Sequence, residues 1–120
     1  MILSNVEDKN PEELWKRTPL HYAAKKGHTE IANMILRNIA NKNPKDWNGL
    51  TPLHLAAAGG HVKICEMIMN LVDDKNPFDK NRDTPLSLAE RNGHYPVCEY
   101  IRGSLWVAQY IEVKASSQRA

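Results

Sequence analysis

No C-x-x-C pair and no H-x3-H pair occurs in this sequence, so the ligand spacings that hold zinc are missing. There is no G-x-S-x-G, no P-loop and no glycine-rich phosphate fingerprint. There is no N-x-[S/T] glycosylation site either. No apolar run approaches the roughly 18 residues that a membrane span requires. Neither sign of charge dominates: 16 basic against 14 acidic residues leave a net charge of +2. That is too small an excess to argue for nucleic acid by itself. These absences point away from a catalytic centre, a metal site, membrane insertion and nucleic-acid binding. What is present is 42% hydrophobic and 25% charged residues in 120, enough for one domain with a core and a charged surface.

The chain repeats itself. The word DKNP at residues 8–11 returns as NKNP at 41–44 and as DKNP at 74–77, each step being 33 residues. TPLH at 18–21 returns at 51–54 and as TPLS at 84–87, and Gly-His at 27–28 returns at 60–61 and 93–94, in the same register. Self-similarity at such a period means a stacked array of small units.

The middle unit shows the physics of one repeat. Thr51 predicts an N-cap with Pro52 at the first helical position, where its missing N–H costs nothing. Leu53, Leu55, Ala56 and Ala57 give a short helix with a small apolar side, stopped at Gly59-Gly60. A second helix starts at His61, with Val62, Ile64, Cys65, Ile68 and Met69 on one face. The stretch DDKNPFDKNRD then carries turn residues and no apolar period, and is expected to be an extended loop or hairpin. A helix pair this short cannot bury its own face, so each unit must lean on the next.

The segments GLTPLHLAAAGGH at 49–61, RTPLHYAAKKGH at 17–28 and DTPLSLAERNGH at 83–94 resemble ankyrin repeats over about four-fifths of the chain. The resemblance implies an all-α ankyrin-repeat solenoid of helix-turn-helix units with β-hairpin loops off one edge. It also implies partner binding on the concave side. The unit boundaries expected are 1–11 for the tail of a truncated preceding repeat, then repeats at 12–44, 45–77 and 78–103, the last cap-like, and a C-terminal extension at 104–120. There are departures from the family pattern. Ile39 and Val72 stand where a glycine usually follows the second helix, so those helices are expected to end differently or run longer. The hairpin glycine is kept at Gly49 but replaced by Lys16 and Arg82, so those two tips are expected to be less tightly turned.

The opening MILSNVEDKNP aligns with MILRNIANKNP at 34–44. The chain is therefore expected to start in the tail of a unit, as a piece of a longer array or from a late translation start. Leu20, Ala23, Ile31 and Ile35 are then expected to have no outer partner, or only the stub at residues 1–6.

Five histidines and two cysteines have structural explanations. His21 and His54 are the fourth letter of TPLH, and His28, His61 and His94 follow the glycine between helices. Cys65 and Cys98 occupy equivalent positions one period apart. Packed helices lie roughly 8–10 Å apart, beyond the reach of an unstrained disulfide. Both are expected to be buried and reduced, which suits a cytoplasmic or nuclear chain. No catalytic residue, metal or cofactor is assigned.

Positions that differ between units are where specificity can be written. In the hairpins these are Leu14, Trp15 and Arg17; Trp47, Asn48 and Leu50; and Lys80, Asn81 and Asp83. Past the first helices they are Lys25, Lys26, Arg91 and Asn92, with Ala58 and Gly59 in the middle unit. Tryptophan in a polar hairpin suits an interface hot spot or local packing on the neighbouring hairpin. The cluster of Lys and Arg on this side suits a solvated rim or a protein partner with acidic or phosphorylated segments. The reading is a monomeric, non-enzymatic protein-binding scaffold. Two alternatives are an inhibitor or targeting subunit that masks another protein's surface, and a ligand-sensing module of a larger enzyme or channel. In the last unit Glu90 replaces the small Ala57 and Arg102 replaces Met69, as a polar end face requires. Residues 104–120 lose the period and suit either a short amphipathic covering helix or a linker.

Overall fold

The computed structural model describes residues 15–119. Among them are six α-helices and no strand: α1 (Pro19–Lys26), α2 (Thr29–Asn38), α3 (Pro52–Gly59), α4 (Val62–Met69), α5 (Pro85–Arg91) and α6 (Tyr95–Arg119). They pair as α1-α2, α3-α4 and α5-α6. The first helices α1, α3 and α5 form one layer and the second helices form the other. The first-helix layer is the closer packed, because its buried faces are built largely from Ala23, Ala24, Ala56, Ala57 and Ala89. Leu20, Leu53, Ile64, Ile68, Val97 and Ile101 fill the core between the layers. Cys65 and Cys98 are free and lie within it.

The ends of the first helices follow local rules. Thr18, Thr51 and Thr84 are N-caps in complete capping boxes, each with Pro in the first turn. Gly27 and Gly60 cap the C-termini of α1 and α3 in the left-handed region, at φ 75° and 79°. At Gly60 there is a second constraint: a Cβ would stand 2.6 Å from Nδ1 of His94, which packs over it.

The second helices end without glycine, and the repeated word KNP supplies the substitute. Lys42 Nζ donates to the carbonyls of Leu36, at 2.6 Å, and Ile39. Lys75 Nζ donates to Met69 O at 2.5 Å and Val72 O at 2.7 Å. A cation on these carbonyls satisfies acceptors that helix geometry leaves open and complements the negative end of the dipole. The next letter works forward: Asn43 Oδ1 accepts from Leu53 N–H and Asn76 Oδ1 from Leu86 N–H, both at 3.1 Å. One tripeptide thus closes the helix behind it and helps cap the helix ahead. The helices do not run longer, as α2 stops at Asn38 and α4 at Met69.

The hairpins are tight turns rather than strand pairs. Asp46 N–H donates to Leu50 O at 2.9 Å and Asp79 N–H to Asp83 O at 2.8 Å. Each aspartate Oδ1 accepts two further backbone N–H groups, from Asn48 and Leu50 or from Asn81 and Asp83. Neighbouring hairpins are bonded to each other, Trp47 N–H to Trp15 O and Lys80 N–H to Asn48 O, both at 2.9 Å. Lys16 and Arg82 turn as tightly as Gly49: their φ values are 64° and 67° against 80°. The expectation of looser tips is overturned because these inter-hairpin bonds impose one geometry on every turn.

The apolar side of the first unit is smaller than expected. Leu20 and Ala23 are buried, Ile35 is half-buried, and the exposed residues are Ile31 and Met34. An open recess of about 640 Å³ lies here, bordered by Pro19, Met34, Ile35 and Ile39. One unit on, the equivalents Pro52 and Ile68 are fully buried. The stub at residues 1–6 lies outside the described residues.

At the other end α6 runs unbroken for 25 residues, about 37 Å at 1.5 Å per residue. Residues 104–119 therefore continue the helix that begins at Tyr95 rather than forming a separate one. Gly103 does not stop the helix, and a Cβ there would meet nothing. Val97, Cys98 and Ile101 anchor the first part in the core, whereas Trp106, Val107 and Tyr110 are exposed. Glu90 and Arg102 form an ion pair where the middle unit has Ala57 and Met69, which makes this face polar.

The histidines of TPLH fasten unit to unit. Thr51 N–H donates to Nδ1 of His54 at 3.1 Å, and Nε2–H donates to Asp83 O in the next hairpin at 3.0 Å. His21 does the same from Thr18 N–H, at 3.0 Å, to Leu50 O, at 2.8 Å. Both rings are fully buried. An Nδ1 that accepts a backbone N–H carries no proton, so the arrangement requires the neutral ring. Burial accordingly holds both histidines below the usual 6.5.

Two outcomes follow from these geometries. Lys16→Gly and Arg82→Gly should each raise stability by about 0.5–1 kcal/mol in urea denaturation, since a left-handed residue costs roughly 1–2 kcal/mol with a side chain and glycine returns part of that as entropy. The histidines set the second. Above pH 6.5 they are neutral in both states. As the pH falls from 6.5 toward the lowered folded values, the unfolded chain binds protons that the folded chain does not, so stability falls. The thermal midpoint should decline from about pH 6.5 downward, and His54→Gln should start lower but decline less steeply.

Candidate interaction surface

The hairpin edge is the most distinctive surface of the molecule. Its backbone is a chain of bonded turns, so side chains on it are held on a stiff support. Trp15, Trp47 and Phe78 are exposed by 40%, 56% and 58%, large fractions for rings on a rigid edge. Arg17 lies 5.1 Å above the Trp15 ring, and Arg82 lies 5.4 Å above Phe78.

The positions singled out from the repeats divide into two groups. Trp15, Trp47, Asn48, Lys80 and Asn81 are exposed on consecutive hairpins, while Lys25, Lys26, Arg91 and Asn92 are exposed at the C-terminal ends of first helices. Lys25 and Lys26 also sit in the last turn of α1, where cations are favoured by the dipole. Asn92 is partly committed, since its amide donates to Ala58 O of the preceding unit at 3.0 Å. Leu14 lies outside the described residues.

Arg17 has to be corrected. Its Nε bonds Asp46 Oδ2 at 3.2 Å, and the two side chains are 6% and 0% exposed. This is a buried ion pair between hairpins, not a docking cation. Leu50 is half-buried, and both its N–H and carbonyl are taken, by Asp46 and His21. Asp83 and Arg91 face each other at 2.6 Å. The Arg91 guanidinium holds the Asp83 carboxyl below its usual range, and Asp83 raises Arg91 in return.

Phe78 and Lys45 were missed. They occupy one position of the repeat, immediately after the proline of KNP, and differ from Glu12 there. The same rule of disagreeing positions would have found them had it been extended past the turn tips.

No three His, Cys, Asp or Glu side chains among the described residues gather as metal ligands. Burial pushes the Cys65 thiol up to about 12, which leaves it protonated and unreactive. No helix among the described residues is long and apolar enough to cross a membrane.

A family model described as ankyrin repeats, in three copies, matches residues 1–77 and 36–110. The chain belongs to the ankyrin-repeat family. Ankyrin repeats are in general protein-protein interaction modules and typically carry no catalysis. No curated protein matches the chain.

In this ankyrin array the hairpin cation Arg17 is a structural residue. Removing one partner of a buried pair leaves the other charge uncompensated, at a cost of about 3–5 kcal/mol. Arg17→Ala should lose that much in chemical denaturation, whereas Lys26→Ala should stay within about 0.5 kcal/mol, as exposed substitutions do.

Proposed function

We propose that this chain is a non-enzymatic scaffold that binds a protein partner through its hairpin edge and the ends of its first helices. The observation that carries this reading is the row of Trp15 and Trp47 on adjacent hairpins joined by a backbone hydrogen bond. Exposed tryptophans on a stiff backbone bind with little loss of conformational freedom, and tryptophan is favoured at hot spots. Local packing does not account for Trp47, which remains more than half exposed. The flanking Lys25, Lys26 and Lys80 widen the surface with cations that accelerate encounter with an acidic partner.

The test is capture of binding proteins from a cell extract by the wild-type chain and by Trp15→Ala/Trp47→Ala, followed by titration of any protein that differs. Loss of two hot-spot rings at about 2 kcal/mol each should weaken the specific partner by two to three orders of magnitude. Circular dichroism and thermal midpoint should stay close to wild type. Equal capture by both proteins would overturn the assignment of this face.

A further inference from the structure

The second and third hairpins enclose a recess of about 360 Å³, bordered by Lys45, Trp47, Gly49, Phe78, Asp79 and Lys80. That lies at the small end of ligand sites, suited to one large side chain rather than a cofactor. Its two rings stand open to solvent. Its floor is fixed by the Lys80 N–H to Asn48 O bond, and Gly49 lets the two chains approach: a Cβ there would lie 3.0 Å from Lys80 N.

The charges around it are unequally disposed. Asp46 is buried against Arg17 and accepts two backbone N–H groups, so it presents no charge outward. Asp79 accepts the N–H groups of Asn81 and Asp83 through Oδ1. Lys45, Lys80 and Arg82 are exposed, and among the described residues none of them makes an ion pair. Two cations thus border the recess with one uncompensated carboxylate, and a third, Arg82, lies over the ring of Phe78 at its edge. A positive rim around an apolar hollow is complementary to a chain of opposite pattern.

We infer that this recess is the anchor point for an acidic peptide segment that places one large apolar side chain between Trp47 and Phe78 and carboxylates against Lys45, Lys80 and Arg82. The inference rests on the protein-binding reading above and specifies the partner. A nucleic acid fits less well, because bases need a longer track of cations and stacking platforms than one recess supplies.

The experiment is selection of random twelve-residue peptides displayed on phage against the whole chain, followed by anisotropy titration of the enriched peptides. Enriched sequences should carry a Phe, Trp, Leu or Met flanked by Asp or Glu. Their affinity should fall at least tenfold with Lys45→Glu/Lys80→Glu and with Phe78→Ser, and should weaken with added salt. Exchanging peptide Glu for Lys should restore binding to the Lys45→Glu/Lys80→Glu protein, an outcome that damage to the fold cannot produce. Peptides without acidic bias, or unaffected by these changes, would overturn the inference. If such peptides are instead lost with Lys25→Glu/Lys26→Glu, the scaffold reading stands and only this site is wrong. No enrichment overturns the peptide partner and leaves the wider reading to the capture experiment. Tighter binding of a single-stranded oligonucleotide than of any acidic peptide would also overturn it.

Discussion

A neutral histidine that serves two units is the interaction on which the stack depends. Its Nδ1 completes the capping box of its own first helix, and its Nε2 reaches the hairpin of the next unit. In the usual capping box that third helical position holds Glu or Gln, which closes one helix and no more. The ring does the same work locally and adds a bond 29 residues away. Ser87 in the third unit shows the difference. Its hydroxyl and Thr84 complete the box, but the side chain is too short to reach beyond its own unit.

The latch also sets where the hairpins stand. Leu50 O and Asp83 O are held by His21 and His54, and the turns above them are bonded to one another through Trp15, Trp47, Asn48 and Lys80. The acids of the turns organise backbone N–H groups, and Asp46, paired with Arg17, is withdrawn from the outer surface. The surface left over is aromatic and cationic. Stability and binding character therefore share one origin: the hydrogen bonds and ion pair that stiffen the edge withdraw Asp46, and engage Asp79 with backbone and Asp83 with Arg91.

Much of the candidate surface was legible because free positions differ between units while packed positions agree. The structure leaves Trp15, Trp47, Lys80 and Asn81 exposed, as that rule expects of positions free of packing. The rule fails at Arg17, since a position can differ between units and still be buried when its partner lies in the neighbouring turn. It stops short of Phe78 and Lys45, whose exposure depends on how the loop after Pro77 or Pro44 is folded rather than on the turn tip.

By itself the sequence determined the period, the helix starts at Thr18, Thr51 and Thr84, the glycine stops at Gly27 and Gly60, and the buried face of α4. The period is read from words that recur along the chain, and the helix starts, stops and buried face are decided within about four residues by cap geometry and helical spacing. Tertiary structure decided the rest. Lys42 and Lys75 end helices by reaching back over six residues. His21, His54 and the Arg17–Asp46 pair act only once neighbouring units are stacked. Lys16 and Arg82 accept left-handed backbone because bonded neighbours leave no other turn. Local propensity would not choose that conformation for a lysine or an arginine, and no pattern within one unit records the unit that imposes it.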